Sequence, residues 1–124
     1  MSVIVHIVDD DDGVRDSMRE LLASFGYTVR EYPSAEAFLG SPRGDVACLL
    51  VDHHMPGMSG LDLLEHLTAI GDKTPALVIT GGIDPAIATR AKLLGVKYLN
   101  KPVDENAVVE WIGGAMASFV KRPG

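Results

Sequence analysis

Three short segments of the chain, Val3–Val8, Val46–Val51 and Ala76–Thr80, are almost unbroken apolar runs rich in valine and isoleucine. Runs of this length and composition predict strands covered on both faces, as in the middle of a parallel sheet. Tyr27–Tyr32 instead alternates Val29 with Arg30 and Glu31, and Val96–Leu99 contains Lys97. Half-polar strands of this kind belong at the edges of a sheet.

Between the strands the apolar spacing lengthens to that of a helix. Val14, Met18, Leu21, Leu22 and Phe25 form one stripe over Gly13–Phe25, closed by Gly26. A short second helix is expected from Ser34 through Phe38 and Leu39, stopping near Gly40 and Pro42. Ser59 and Asp62 make a capping-type pair ahead of Leu63, Leu64, Leu67 and Ile70 on one face, and Gly71 ends that helix. Asp84 and Pro85 open a fourth, which buries Ile87, Ala88, Ala91 and Leu94 before Gly95. A fifth begins near Asp104 and places Val108, Ile112, Ala115 and Phe119 at helical spacing. Five strands alternating with five helices predict a doubly wound α/β fold with a parallel sheet, because parallel neighbours need right-handed crossovers. With the half-polar strands at its edges, the sheet takes the order 2-1-3-4-5.

Size and charge narrow the picture. With 124 residues, 47% of them apolar, the chain fills one core and not two, so a single domain over residues 1–124 is expected. No apolar run nears the ~20 residues of a membrane span. The first eight residues also lack the basic flank and cleavage site of a signal peptide, and a soluble cytoplasmic protein without membrane contact is expected. Cys48 sits in an apolar run and reads as a buried, reduced thiol. A net charge of −6 argues against nucleic acid as a ligand of this chain, since phosphate backbones need clustered lysine and arginine. The acidity points to a cation.

In doubly wound sheets ligands bind beyond the carboxyl ends of the strands where the strand order reverses, here between strands 1 and 3. Strand 1 ends in Asp9-Asp10-Asp11-Asp12, strand 3 in Asp52, strand 4 in Thr80 and strand 5 in Asn100-Lys101-Pro102. Asp11 and Asp12 precede Gly13 and are read as caps of the first helix. Asp9 and Asp10 finish a strand and do not start a helix. With Asp52 they form three crowded carboxylates, which either raise a pKa or recruit a cation. Oxygen ligands favour a hard ion, and Mg²⁺ retaining several waters fits so few carboxylates. An aspartate beside such an ion can act as nucleophile toward a phosphoryl group, and Asp52 is the candidate. Lys101 offers an ammonium and Thr80 a hydroxyl to neutralise the transferring charge. Each residue is weak evidence by itself, but acidic pair, single Asp, Thr and Lys each end a successive predicted strand, with only the second skipped.

Val8-Asp9-Asp10, the stretch from Val51-Asp52-His53-His54-Met55-Pro56 to Gly57-Met58-Ser59-Gly60, Thr80-Gly81 and Lys101-Pro102 together resemble the response-regulator receiver (CheY-like) family, across essentially the whole chain. Val5–Asp10, Ser34–Leu39 and Val78–Gly81 look most like its FixJ-like group, whose members are usually joined to helix-turn-helix DNA-binding domains. The resemblance implies a phosphoprotein of two-component signal transduction, in which a sensor histidine kinase or phosphotransfer protein donates a phosphoryl group to Asp52. It implies Mg²⁺ held by Asp10, Asp52 and the His54 main-chain carbonyl, with Asp9 acting mainly through water. Thr80 and Lys101 would contact the phosphoryl, Gly81 would keep its approach open, and Thr80 and Tyr98 would form the switch. That switch would reshape the surface of helix 4, strand 5 and helix 5, a face also open to homodimerisation. No turnover of an outside substrate is implied.

The chain departs from the family pattern in places. Val103 stands where an aromatic commonly follows Lys-Pro. His53 and His54 are unusual after the phosphoacceptor; the plain reading is a solvated loop pair, and the sharper one is that the His54 imidazole tunes acyl-phosphate hydrolysis. His6 is expected to be a hydrogen-bonded core residue, and His66 to face water. Trp111 falls off the main stripe of its helix and is either an interface anchor or half-buried against the fourth helix. A phosphatase with an aspartyl-phosphate intermediate is the competing enzyme reading; such enzymes place a second Asp where His54 stands, and they need a cap that 124 residues do not supply. A receiver working without phosphorylation is the competing interaction-module reading, which no residue favours.

Overall fold

The computed structural model describes residues 4–42, 46–82 and 84–121. Among them run β1 (Ile4–Val8), α1 (Asp12–Ser24), β2 (Thr28–Tyr32), α2 (Ala35–Leu39), β3 (Val46–Asp52), α3 (Gly60–Ala69), β4 (Ala76–Thr80), α4 (Pro85–Leu94), β5 (Lys97–Asn100) and α5 (Glu105–Lys121). The strands form one parallel sheet in the order β2-β1-β3-β4-β5, as the hydrophobic pattern predicts.

Alternation along the pleat explains why the central strands have no polar face. Leu49 and Val51 of β3 join Val8, Tyr32, Ala76 and Val78 in a core that also takes in Phe38, Leu63, Leu67 and Ala91 from α2, α3 and α4. Cys48 and Leu50 point the other way, joining Val5, Ile7, Leu77 and Ile79 in a second core against Met18 and Leu22 of α1 and Val108 and Ile112 of α5. Full burial of one such leucine contributes about 1.5–3 kcal/mol, so each continuous apolar run stabilises two cores at once. At the edges β2 alternates in exposure and β5 carries exposed Lys97 and Asn100.

The helix boundaries follow the caps. Asp11 accepts from the Val14 amide, Ser34 from Ala37 and Asp84 from Ile87, with Pro85 in the first turn of α4. Ser59 and Asp62 close a reciprocal capping box on α3. Two apolar positions are corrections to the predicted stripes. Phe25 and Ile70 are each 57% exposed. Both are C-caps rather than helical residues, and the left-handed glycines Gly26 and Gly71 then turn the chain back toward the sheet. A stripe read by period carries one residue past the point where the backbone leaves the helix.

Val3 and the side chain of Phe119 lie outside what is described. His6 is a core residue, fully buried and stacked on Tyr32 at 5.4 Å between centroids, with Phe38 edge-on. His66 is exposed. Cys48 is buried, and burial pushes its thiol up to about 12. Trp111 and Val103 are half-buried against the α1–α5 core.

Candidate functional site

Backbone hydrogen bonds carry the sheet ladder one residue beyond its strands. The Asp9 amide donates to the Tyr32 carbonyl at 3.1 Å, that of His53 to Ile79 at 2.8 Å, and that of Lys101 to Thr80 at 2.9 Å. These bonds set Asp9, Asp52, Thr80 and Lys101 along one rim, at the point where β1 and β3 diverge to opposite crossovers. Carboxylate oxygens of Asp9, Asp10 and Asp52 all fall within 4.8 Å of one another. Asp9 and Asp52 are only 4% and 3% exposed, whereas Asp10 is open to solvent. Lys101 Nζ stands 3.3 Å from Asp52 Oδ1, and the Lys101–Pro102 peptide is cis.

Burial dominates the electrostatics of this cluster. It pushes Asp9 up to about 6, against a hydrogen bond from the Asp11 amide and with a further upward push from the Asp52 charge. Burial also raises Asp52, an effect that the Lys101 ammonium opposes. Asp52 Oδ1 is buried, with the Lys101 ammonium at ion-pair distance. Desolvated carboxylates held this close are the set that a hard cation satisfies. The residues present therefore fit a Mg²⁺ ion.

The loop from β3 to α3 is held from several sides. The Gly60 amide donates to the His53 carbonyl at 3.1 Å, and the Leu61 amide reaches His53 Nδ1 at 3.4 Å. His53 is thus buried beneath the first turn of α3, which corrects the reading of a solvated histidine pair. Burial lowers its pKa, and Nδ1 accepts an amide that the helix cannot satisfy internally. Glu36 of α2 accepts from the Met58 amide at 3.3 Å. On the other side of the rim Arg15 donates to the Asp9 carbonyl and pairs with Asp12 and Glu31, tying α1 to the acidic turn. Neither Arg15 nor Glu36 stood out in the sequence. Arg15 sits one turn into α1, from where a long side chain reaches back over the N-terminus.

His54 is exposed, but its ring is not idle. His54 Nε2 lies 2.9 Å from the hydroxyl of Thr80, which is fully buried and also meets Gly82. Gly81 is exposed, and a Cβ added there would meet nothing within 4 Å. Tyr98 pairs with Val78 across β4 and β5 and is half-buried against the core under α3 and α4.

A flavodoxin-like sheet bearing an acidic cluster and a lysine on its carboxyl rim defines the class: an α/β domain with a cation-type site at the strand-order reversal. Residues 5–113 match the response regulator receiver domain, and the chain belongs to that family, the receivers of two-component signalling. It is 44% identical over 124 residues to the transcriptional regulatory protein FixJ of Azorhizobium caulinodans, covering 98% of this chain and 58% of that protein. With FixJ of Rhizobium meliloti it shares 38% over 118 residues, covering 94% and 58%. The crystal structure of FixJ-N superposes with a TM-score of 0.83 at 35% identity, covering 94% of this chain and 95% of that one. The response regulator StyR does so with a TM-score of 0.88 at 37%, covering 98% and 63%. The chain thus spans 58% of the length of these FixJ relatives. None of the described helices is long and apolar enough to cross a membrane.

Proposed function

We propose that this chain is a phosphorylation switch that accepts a phosphoryl group on Asp52 from a sensor histidine kinase or phosphotransfer protein. The carrying observation is the convergence of Asp9, Asp10 and Asp52 within 4.8 Å, with Lys101 Nζ 3.3 Å from Asp52. A carboxylate oxygen of Asp52 attacks phosphorus, the P–N bond of a donor phosphohistidine breaks, and the imidazole leaves with a proton. Asp10, Asp52 and the His54 main-chain carbonyl would hold Mg²⁺ directly, and Asp9 would do so through water. The ion would neutralise charge on the phosphoryl oxygens. Lys101 supplies a second positive charge, and the Thr80 hydroxyl a donor on the next strand.

A new dianion at the rim draws Thr80 toward it, and Tyr98 turns further into the space beside α4. The output surface is then α4, β5 and α5, where a second copy or another domain docks. In this reading residues 1–124 form one receiver domain, acting in the cytoplasm with no outside substrate. The similar FixJ proteins are transcriptional regulators, and the switched surface would serve an output of that kind.

Incubation with acetyl phosphate and Mg²⁺, followed by intact mass measurement, tests the reading. One added phosphoryl group is expected with Mg²⁺ and none with EDTA; no gain in either condition overturns it.

A further inference from the structure

The Thr80 hydroxyl makes three polar contacts at once: 2.8 Å to the Gly82 carbonyl, 3.3 Å from the Gly82 amide and 2.9 Å to His54 Nε2. A hydroxyl has one proton and two lone pairs. The Gly82 carbonyl can only accept, so it takes the proton. The Gly82 amide can only donate, so it occupies one lone pair. The remaining lone pair faces His54 Nε2, which must therefore carry a hydrogen. All three contacts are satisfied only when His54 Nε2 carries a hydrogen and donates it to Thr80.

We infer that His54 is a positioning residue: through its Nε2–H it latches the Thr80 hydroxyl in a saturated arrangement with no proton left for a phosphoryl oxygen. This rests on the proposed phosphoryl site and adds a resident competitor to it. Thr80 reaches the phosphoryl only by giving up Gly82 and parting from His54. Because Thr80 is fully buried, its rotation is confined to these few partners and bulk water cannot replace the lost bond. The His54 main chain is part of the proposed cation site, so the same residue that helps to hold the ion also restrains the switch threonine. One hydrogen bond of this type shifts a two-state equilibrium by about three- to tenfold.

Two measurements on the full chain test the latch. Long-range ¹H–¹⁵N spectra of the metal-free protein are expected to show His54 as the Nε2–H tautomer, and Thr80→Val is expected to shift that signal. Titration with beryllofluoride and Mg²⁺ is expected to give about three- to tenfold tighter binding for His54→Phe, which keeps a ring without a donor. His54→Gln, whose amide donates, is expected to stay near the parent. The gain from His54→Phe must vanish in a Thr80→Val background. An Nδ1–H tautomer, equal affinities for parent and His54→Phe, or a gain that survives Thr80→Val would each overturn the latch. Failure of the parent itself to bind beryllofluoride would instead overturn the phosphoryl site on which the latch rests, and the tautomer would then report a purely local bond.

Discussion

A Cβ added to Gly60 would lie 2.6 Å from the main-chain oxygen of Asp52, closer than real Cβ atoms come, and a tight 3.0 Å from the His53 Cα. Alanine normally stabilises a helix over glycine by about 0.5–1 kcal/mol. Here the sign reverses, because the first turn of α3 sits directly on the backbone that carries Asp52. Gly60→Ala is expected to destabilise the fold by roughly 1–3 kcal/mol in urea unfolding and to slow phosphoryl uptake, since relief moves Asp52 itself.

Lys101 is a cation beside the proposed cation site. Removing its ammonium lifts a repulsion from the incoming ion, so Lys101→Met is expected to bind Mg²⁺ several-fold more tightly by calorimetry. The same change is expected to slow phosphorylation by acetyl phosphate about a hundredfold or more, because developing charge loses its partner. Tighter ion binding with slower chemistry separates charge neutralisation from ion binding.

Asp9 sets a pH dependence of known sign. Its pKa is raised by burial from 3.8 to about 6. The folded protein therefore holds a proton that the unfolded chain releases, and the associated stability is complete below pH 4 and lost as pH rises to about 6. At 1.36 kcal/mol per pKa unit the loss is at most about 3 kcal/mol. In EDTA, Asp9→Asn is expected to raise Tm by several degrees at pH 7.5 and to leave it nearly unchanged at pH 4. For the parent, Mg²⁺ is expected to raise Tm more at pH 7.5 than at pH 5, since protons and metal compete for the same oxygens.

The capping box of α3 has an ordinary cost attached. Ser59 Oγ accepts from the Asp62 amide at 3.1 Å, and Asp62 Oδ2 accepts from the Ser59 amide at 3.0 Å. Ser59→Ala is expected to lower stability by about 1 kcal/mol in urea unfolding, with Ser59→Asn near the parent.

Sheet order and site were legible in the sequence for the same reason. Strand ends are marked by the switch from apolar to polar residues, and the acidic and hydroxyl groups stand at those switches, as at Val8-Asp9, Val51-Asp52 and Ile79-Thr80, with Lys101 one residue past the switch at Leu99-Asn100. Period also located the helices, but it overran at Phe25 and Ile70, because a stripe does not record where a glycine bends the chain away. The two histidines after Asp52 were the harder feature. Adjacent residues of one type look alike in sequence, yet His53 is drawn under α3 by the Gly60 and Leu61 amides while His54 turns to Thr80. That division depends on the close approach of α3 to β3 and of β3 to β4, distances which no local pattern encodes. Glu36 was missed on the same ground, as it acts on a backbone amide 22 residues away, while Arg15 reaches back over its own helix to the Asp9 carbonyl, a contact that the apolar pattern does not mark.

Asp52 is the proposed carrier of the phosphoryl group. Borohydride reduction of the phosphorylated protein converts an aspartyl phosphate to homoserine, and peptide mass mapping then reads the position. Homoserine at position 52, formed only with Mg²⁺ and absent in Asp52→Asn, is the expected result. Homoserine at position 9 or 10, or a phosphoryl group that persists undiminished in Asp52→Asn, would place the acceptor elsewhere than at Asp52.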